Sequence, residues 1–176
     1  MGHFRHDGFI DPAIRLVLPG ARIAGPAVTM RIAGPDSTLL HHAVSNARPG
    51  DVLVIDRCGD TRHACWGGVT TNAARLAGIA GIIIDGPATD FAEIVKASLP
   101  VWCRGPSALT TKFLPLDSAM NVPVSVGGVA INPGDLILAD ESGAIVLPPR
   151  SGRRSRRPGH RAAGTGKAGA GPAGGG

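Results

Sequence analysis

The chain has 176 residues, 43% apolar and 3% aromatic, so a single domain must build its core from Val, Ile, Leu and Ala. Its net charge of +5 belongs to one end: residues 151–176 hold five Arg, one Lys and no acid, while residues 1–150 hold 12 basic and 13 acidic side chains, net −1. A near-neutral body argues against a nucleic-acid-binding face, three cysteines without a CxxC pair argue against a disulfide framework or Cys-rich zinc site, and no apolar run is long enough to span a membrane.

Residues 1–20 read as an irregular lead-in without the apolar core of a signal peptide, which predicts a reduced, cytoplasmic protein. Ala27–Ile32 alternates as a strand does, and Ser37 or Thr38 is placed to cap a short helix over Leu39–Ala47, ahead of Pro49-Gly50. Val52–Asp56 is a continuous apolar run, the type buried on both faces. After a turn at Arg57–Asp60, Gly67-Gly68 opens a helix over Val69–Ala77, with Gly78 at its C-cap. Ala80–Asp85 is a second buried strand, Asp90–Ala97 a helix and Val101–Arg104 a third strand. This β–α–β–α–β rhythm predicts a parallel core with right-handed crossovers.

The second half predicts short β segments with tight turns: Val122–Val126, Val129–Ile131, Leu136–Ala139 and, after a hairpin turn at Asp140–Gly143, Ala144–Leu147. The fold class is therefore α/β, a sandwich with a parallel core and short antiparallel segments, as one domain over residues 1–148. Residues 149–176 are Gly, Ala, Pro and Arg without periodicity, which predicts a disordered, solvated tail.

Two stretches carry candidate chemistry. Asp90 either caps its own helix, since Asp90-Phe91-Ala92-Glu93 has capping-box spacing, or offers a hard oxygen to Mg²⁺. Gly67-Gly68-Val69-Thr70 either forms a tight turn that needs glycine or presents helix N-terminal amides to a carboxylate. Cys65 and Cys103 read as small buried hydrophobes, Trp66 as packing, and the adjacent His41 and His42 as a poor metal pair.

Six segments in order resemble the RraA-like family, which includes 4-hydroxy-4-methyl-2-oxoglutarate aldolases and the regulator of ribonuclease E activity A. They are GPAVTM (25–30), PGDVLVID (49–56), ACWGG (64–68), GIAGIIIDGPATD (78–90), LPVWCRG (99–105) and NVPVSVGGVAINPGDLILADESGAIVLP (121–148). The resemblance implies a swivelling β/α/β-type domain, a ring-shaped homotrimer or dimer of trimers with sites at subunit interfaces, and Mg²⁺ or Mn²⁺. It also implies cleavage of a 2-oxo acid substrate to pyruvate, with oxaloacetate decarboxylation as a side activity. On this basis Asp90 is the metal ligand, and Gly67, Gly68, Val69, Thr70 and Thr89 line the substrate site.

The chain departs from the aldolase pattern at two of these positions. Thr89 stands where an aldolase has an Arg that would clamp the substrate and stabilise enolate charge. Gly68 stands where an Asp would position a proton-transferring water. Some members supply a Glu from a neighbouring C-terminal region, but residues 151–176 contain no acid, and little precedes the GPAVTM strand; both ends suggest a truncated or frame-altered coding region. Arg62, His63 and Arg104 lie near the same loops as substitutes, His63 as a base and Arg104 as a carboxylate partner. The departures keep a second reading open, a non-catalytic regulator that binds a ribonuclease or another protein. A third, a methyltransferase, rests only on a strand and glycine turn in VLVIDRCGD, without a G-x-G-x-x-G pattern.

Overall fold

A computed structural model describes residues 8–114 and 116–149; the predicted tail lies outside them from residue 150 onward. The elements are β1 (Arg15–Leu16), β2 (Ile23–Arg31), α1 (Thr38–Asn46), β3 (Val52–Asp56), α2 (Gly68–Leu76), β4 (Gly81–Ile84), α3 (Phe91–Ala97) and β5 (Val101–Cys103). Then follow β6 (Ala119–Met120), β7 (Val124–Val126), β8 (Val129–Ile131), β9 (Leu136–Asp140) and β10 (Gly143–Leu147). Strands β2, β3, β4 and β5 are parallel neighbours, as the alternating rhythm predicts.

The sheet runs β1-β5-β4-β3-β2-β9-β10, with β6 also on β2 and β7-β8 as a separate hairpin. β1 gives the lead-in a short antiparallel pairing with β5. β2 begins four residues before the expected Ala27, because it serves two partners. Ile23–Pro26 pairs antiparallel with β9, and Ala27–Arg31 pairs parallel with β3. Gly25 lies against the turn before β3: a Cβ there would sit 2.2 Å from the Gly50 carbonyl oxygen.

The continuous apolar strands are explained by two cores. Leu53, Ile55, Ile82, Ile84, Val101 and Cys103 face the helices, where Leu40, Ala43, Ala74 and Ile94 meet them. Val52, Val54, Ile83 and Trp102 face the opposite way, onto Val124, Val126, Val129, Ile131 and Ile137. Successive side chains alternate between faces, so a strand covered on both sides reads as VLVID or GIII rather than as an alternating pattern. The result is a three-layer arrangement with both helix N-termini, of α2 and α3, at the C-terminal ends of the parallel strands. No helix among the described residues is long and apolar enough to cross a membrane.

Local polar contacts fix the loops. Ser37 occupies the N-cap position of α1 without a side-chain cap. Asp36 does that work: its Oδ1 accepts from the Thr38 amide (2.9 Å), the Thr38 hydroxyl (2.7 Å) and the Leu114 amide (2.9 Å). Burial alone would push this carboxyl up, but the Thr38 and Leu114 bonds outweigh burial and hold it below its usual value. Arg104 clamps the other side: it binds Asp85 through Nε and Asp11 Oδ2 at 2.9 Å, and Asp85 Oδ2 accepts from the Gly127 amide at 2.7 Å.

Two stability predictions follow from these contacts. Ile83→Ala should cost about 2–5 kcal/mol in urea unfolding, because Ile83 is fully buried between β3 and β5 on the hairpin side. Asp36→Asn should destabilise the protein at neutral pH by about 1–3 kcal/mol. A carboxyl held below its ordinary value stabilises the fold above that value and loses this contribution as pH falls through the folded-state value. The two proteins should therefore converge in acid; a constant gap across the pH series would contradict this account.

Candidate functional site

Gly67, Gly68, Thr89 and Asp90 come together where α2 and α3 begin. Asp90 precedes α3 with φ 53° and ψ 44°, a left-handed conformation that Asp tolerates better than most residues. This backbone turns the carboxylate away from its own helix. It makes no cap bond within α3; its Oδ2 accepts from the Gly68 amide at 3.0 Å instead. The capping-box alternative for Asp90 is thus not realised: Asp90 caps the neighbouring helix. The Thr89 hydroxyl lies 3.3 Å from Asp90 Oδ1.

The glycines permit this approach. A Cβ on Gly67 would meet Thr89 Cγ2 at 2.7 Å and Asp90 Oδ2 at 2.8 Å. A Cβ on Gly68 would lie 3.0 Å from Glu93 Cβ and 3.6 Å from Asp90 Oδ2. The first turn of α2 is otherwise closed by Thr70, whose hydroxyl accepts from the Gly67 amide (3.0 Å) and donates to the Gly67 carbonyl (2.9 Å). The amides of Val69 and Thr70 have no acceptor among the described residues, as expected for the orphan donors of a helix start. Val69 itself is 80% exposed.

The loop carrying Asp90 is pinned from both sides. Ala88 bridges Trp66 on one flank and Pro106 on the other, and the Thr89 amide donates to the Trp66 carbonyl at 2.8 Å. Trp66 is buried and donates to the Thr71 hydroxyl at 2.8 Å, which makes it packing rather than a platform. Burial pushes the Cys65 thiol up to about 11, and burial also raises Cys103, so neither is a ready nucleophile.

The other residues singled out from the sequence lie elsewhere. His63 binds Asp60 at 2.8 Å, and Arg62 is exposed. Arg104 is engaged by Asp85 and Asp11. His41 packs on Phe113 and His42 contacts Asn46. Sequence reasoning missed Arg57, which is fully buried and donates to the carbonyls of Ile32 (3.2 Å) and Gly34 (2.5 Å) and to Asp60 (3.3 Å). This side chain fills the turn after β3, and Gly86 packs on it so closely that a Cβ would meet Arg57 Cγ at 2.6 Å.

The RraA-like family profile (Aldolase/RraA) matches residues 1–146. The chain belongs to the RraA-like family. A Halalkalibacterium halodurans protein, provisionally named a 4-hydroxy-4-methyl-2-oxoglutarate aldolase, is 39% identical over 127 residues, which is 72% of this chain and 60% of that protein. The chain thus spans less than two thirds of that relative. A Thermus thermophilus protein named 4-hydroxy-4-methyl-2-oxoglutarate aldolase is 36% identical over 77% of this chain and 82% of its own length. Among solved structures, the RNA-processing inhibitor RraA from Thermus thermophilis superposes with a TM-score of 0.75 at 29% identity, covering 84% of this chain and 89% of that one. The mixed sheet and helix layer described above match this RraA-like fold.

Gly67→Ala tests the close approach. The added methyl collides with Thr89 and Asp90, and is expected to cost about 1–3 kcal/mol in urea unfolding. An unchanged midpoint would show that the two helix starts do not need to touch.

Proposed function

We propose that this RraA-like protein is a divalent-metal-dependent lyase that cleaves 2-oxo acids of the 4-hydroxy-4-methyl-2-oxoglutarate type to release pyruvate, with oxaloacetate decarboxylation as a related activity. The observation that supports it is the Asp90 carboxylate 3.0 Å from the Gly68 amide, at the open start of α2. The similarity to the Thermus thermophilus aldolase points the same way.

The donor set favours a particular kind of ion. Among the described residues no three His, Cys, Asp or Glu side chains converge, which does not fit an all-protein zinc-type cage. One exposed carboxylate fits Mg²⁺ or Mn²⁺, which keep several waters and accept the remaining oxygens from a chelating ligand. Asp90 would hold the ion, and bound there it supplies Lewis-acid stabilisation of the charge left by carbon–carbon cleavage. The Val69 and Thr70 amides orient the pyruvyl carboxylate at the positive end of α2. The Thr89 hydroxyl steadies Asp90 Oδ1 but brings no charge.

The expected result is pyruvate release from 4-hydroxy-4-methyl-2-oxoglutarate or oxaloacetate with Mg²⁺, followed by lactate dehydrogenase coupling. Asp90→Asn should abolish turnover while keeping an oxygen for the Gly68 amide and a near-native urea midpoint. Asp90→Ala should lose both, with a stability cost of about 1 kcal/mol. Turnover that survives EDTA would sink the metal role.

A second reading has its own support: a non-catalytic regulator that binds a ribonuclease or other protein. Thr89 brings no cation beside Asp90, and Val69 and Leu76 present apolar surface on α2, 80% and 79% exposed. The solved relative titled as an RNA-processing inhibitor is consistent with it. Absence of pyruvate release, together with a stoichiometric complex with ribonuclease E on size exclusion, would favour this reading over the lyase.

A further inference from the structure

We propose that the outer face of β2, β9 and β10 is a self-association surface, which packs on the same face of a second copy of this chain. Side chains alternate along these strands, and the inward set, Ile23, Ile137, Ala139, Ala144 and Val146, closes the hairpin-side core. The outward set is apolar as well. Register places Phe9, Ile145, Leu138 and Ala24 in one row across the sheet, and Leu147, Leu136 and Pro26 in the next. Phe9, Ala24, Pro26, Leu136 and Leu147 are exposed, and Leu138 and Ile145 are half-buried. The run from Leu136 to Ala139 and the run from Ala144 to Leu147 thus have the continuous apolar pattern of strands covered on both faces, while the fold covers only one.

A second copy fits this face better than other occupants do. Residues 1–7 and 150–176 contribute only Met1 and Phe4 as large apolar side chains, too few to cover both rows. The β10 edge is closed: the Ile10 amide donates to the Ala144 carbonyl (3.0 Å) and the Val146 amide to the Gly8 carbonyl (2.8 Å). A partner therefore meets the face and cannot add as a strand there. Neither row contains a charge, and interfaces between identical subunits are the more apolar class. At the hairpin end, Arg22 and Glu141 form an exposed pair at 3.6 Å, so the rim carries both signs and complements a copy of itself. Beside the first row lies a trough of about 500 Å³, lined also by Gly143, which has no side chain to fill it. It has room for a side chain from the facing row. At sheet spacings the two rows offer on the order of 300 Å² per copy. That lies within the range of functional patches and below the face of a tight complex, so the association is concentration-dependent.

The face lies where β2 begins, whereas Asp90 lies at the C-terminal ends of the parallel strands, so the proposal does not depend on the chemistry assigned to that site. Sedimentation equilibrium of the full chain over about 1–100 µM should show an assembly of even copy number, because a face that meets itself pairs copies. Leu138→Lys should halve the mass of that assembly, by placing a charge in its apolar core. Ala24→Arg should do the same. Ala24 is exposed, so this second variant leaves the interior untouched, and a wild-type urea midpoint at low concentration would report that it is folded. Leu76→Lys, on the exposed side of α2, should leave the assembly intact. A wild type of odd copy number, a monomer included, would overturn the proposal and leave the face to a partner of another sequence. So would an assembly that survives both Leu138→Lys and Ala24→Arg, or one that only Leu76→Lys disrupts.

Discussion

The Gly68 amide and the Asp90 carboxylate are 22 residues apart in the chain and 3.0 Å apart in space, and much of the site's geometry follows from that bond. It joins the first turn of α2 to the residue before α3. A helix start carries unsatisfied donors and a partial positive charge, so a carboxylate there lowers the free energy of α2 while it gains a fixed orientation. The bond requires Asp90 to adopt positive φ, a conformation that costs about 1–2 kcal/mol for an ordinary L-residue and less for Asp. A side chain that satisfies its own helix could not also reach the neighbouring one. The left-handed backbone makes the choice between them.

The two glycines have different parts in this arrangement. Gly67 keeps clear the line between Thr89 and Asp90, where any Cβ would be far inside contact distance. At Gly68 the nearest obstacle is Glu93 Cβ at 3.0 Å, so the helices have closed over the space that a side chain would use. An Asp placed at position 68 would require Glu93 to yield. Gly68 and the packing of α3 are one structural feature, and the local charge is set by Asp90 and Glu93 together.

Much of the fold was legible in the sequence because burial on both faces leaves a clear trace. VLVI and GIII are apolar at every position, and the helices that follow these two strands stop just before Gly78 and at Ser98. The two-residue strands β1 and β6 left no such trace, being too short for any period. Pro26 concealed the true start of β2, since proline inside a strand usually argues against one; it is tolerated where β2 passes from β9 to β3. At the site, residue identity named Asp90 and the Gly67 turn, but not which helix Asp90 would cap. That depends on the sign of one backbone angle, and Asp is compatible with both. Arg57 was hidden for another reason: a charged residue in a turn is ordinarily solvated, and only the converging carbonyls of Ile32 and Gly34 allow its burial.

Arg57 matters to the site although it is not in it. Its guanidinium ties the end of β2 to Asp60, while its Nε has no hydrogen-bond partner among the described residues, a cost that the other bonds must offset. The aliphatic part of the same side chain lies under Gly86, four residues before Asp90. On either side of that contact, Asp85 is held by Arg104 and Gly127, and Ala88 is bridged to Trp66 and Pro106. The segment from Asp85 to Asp90 therefore has little freedom to relax when any one contact is altered. A larger residue at 86 would press on a buried cation, and the displacement would pass along a short, pinned loop to the carboxylate at its end. Position 90 is fixed by interior packing as much as by its own hydrogen bond, so substitutions at Gly86 or Arg57 reach the site without touching it.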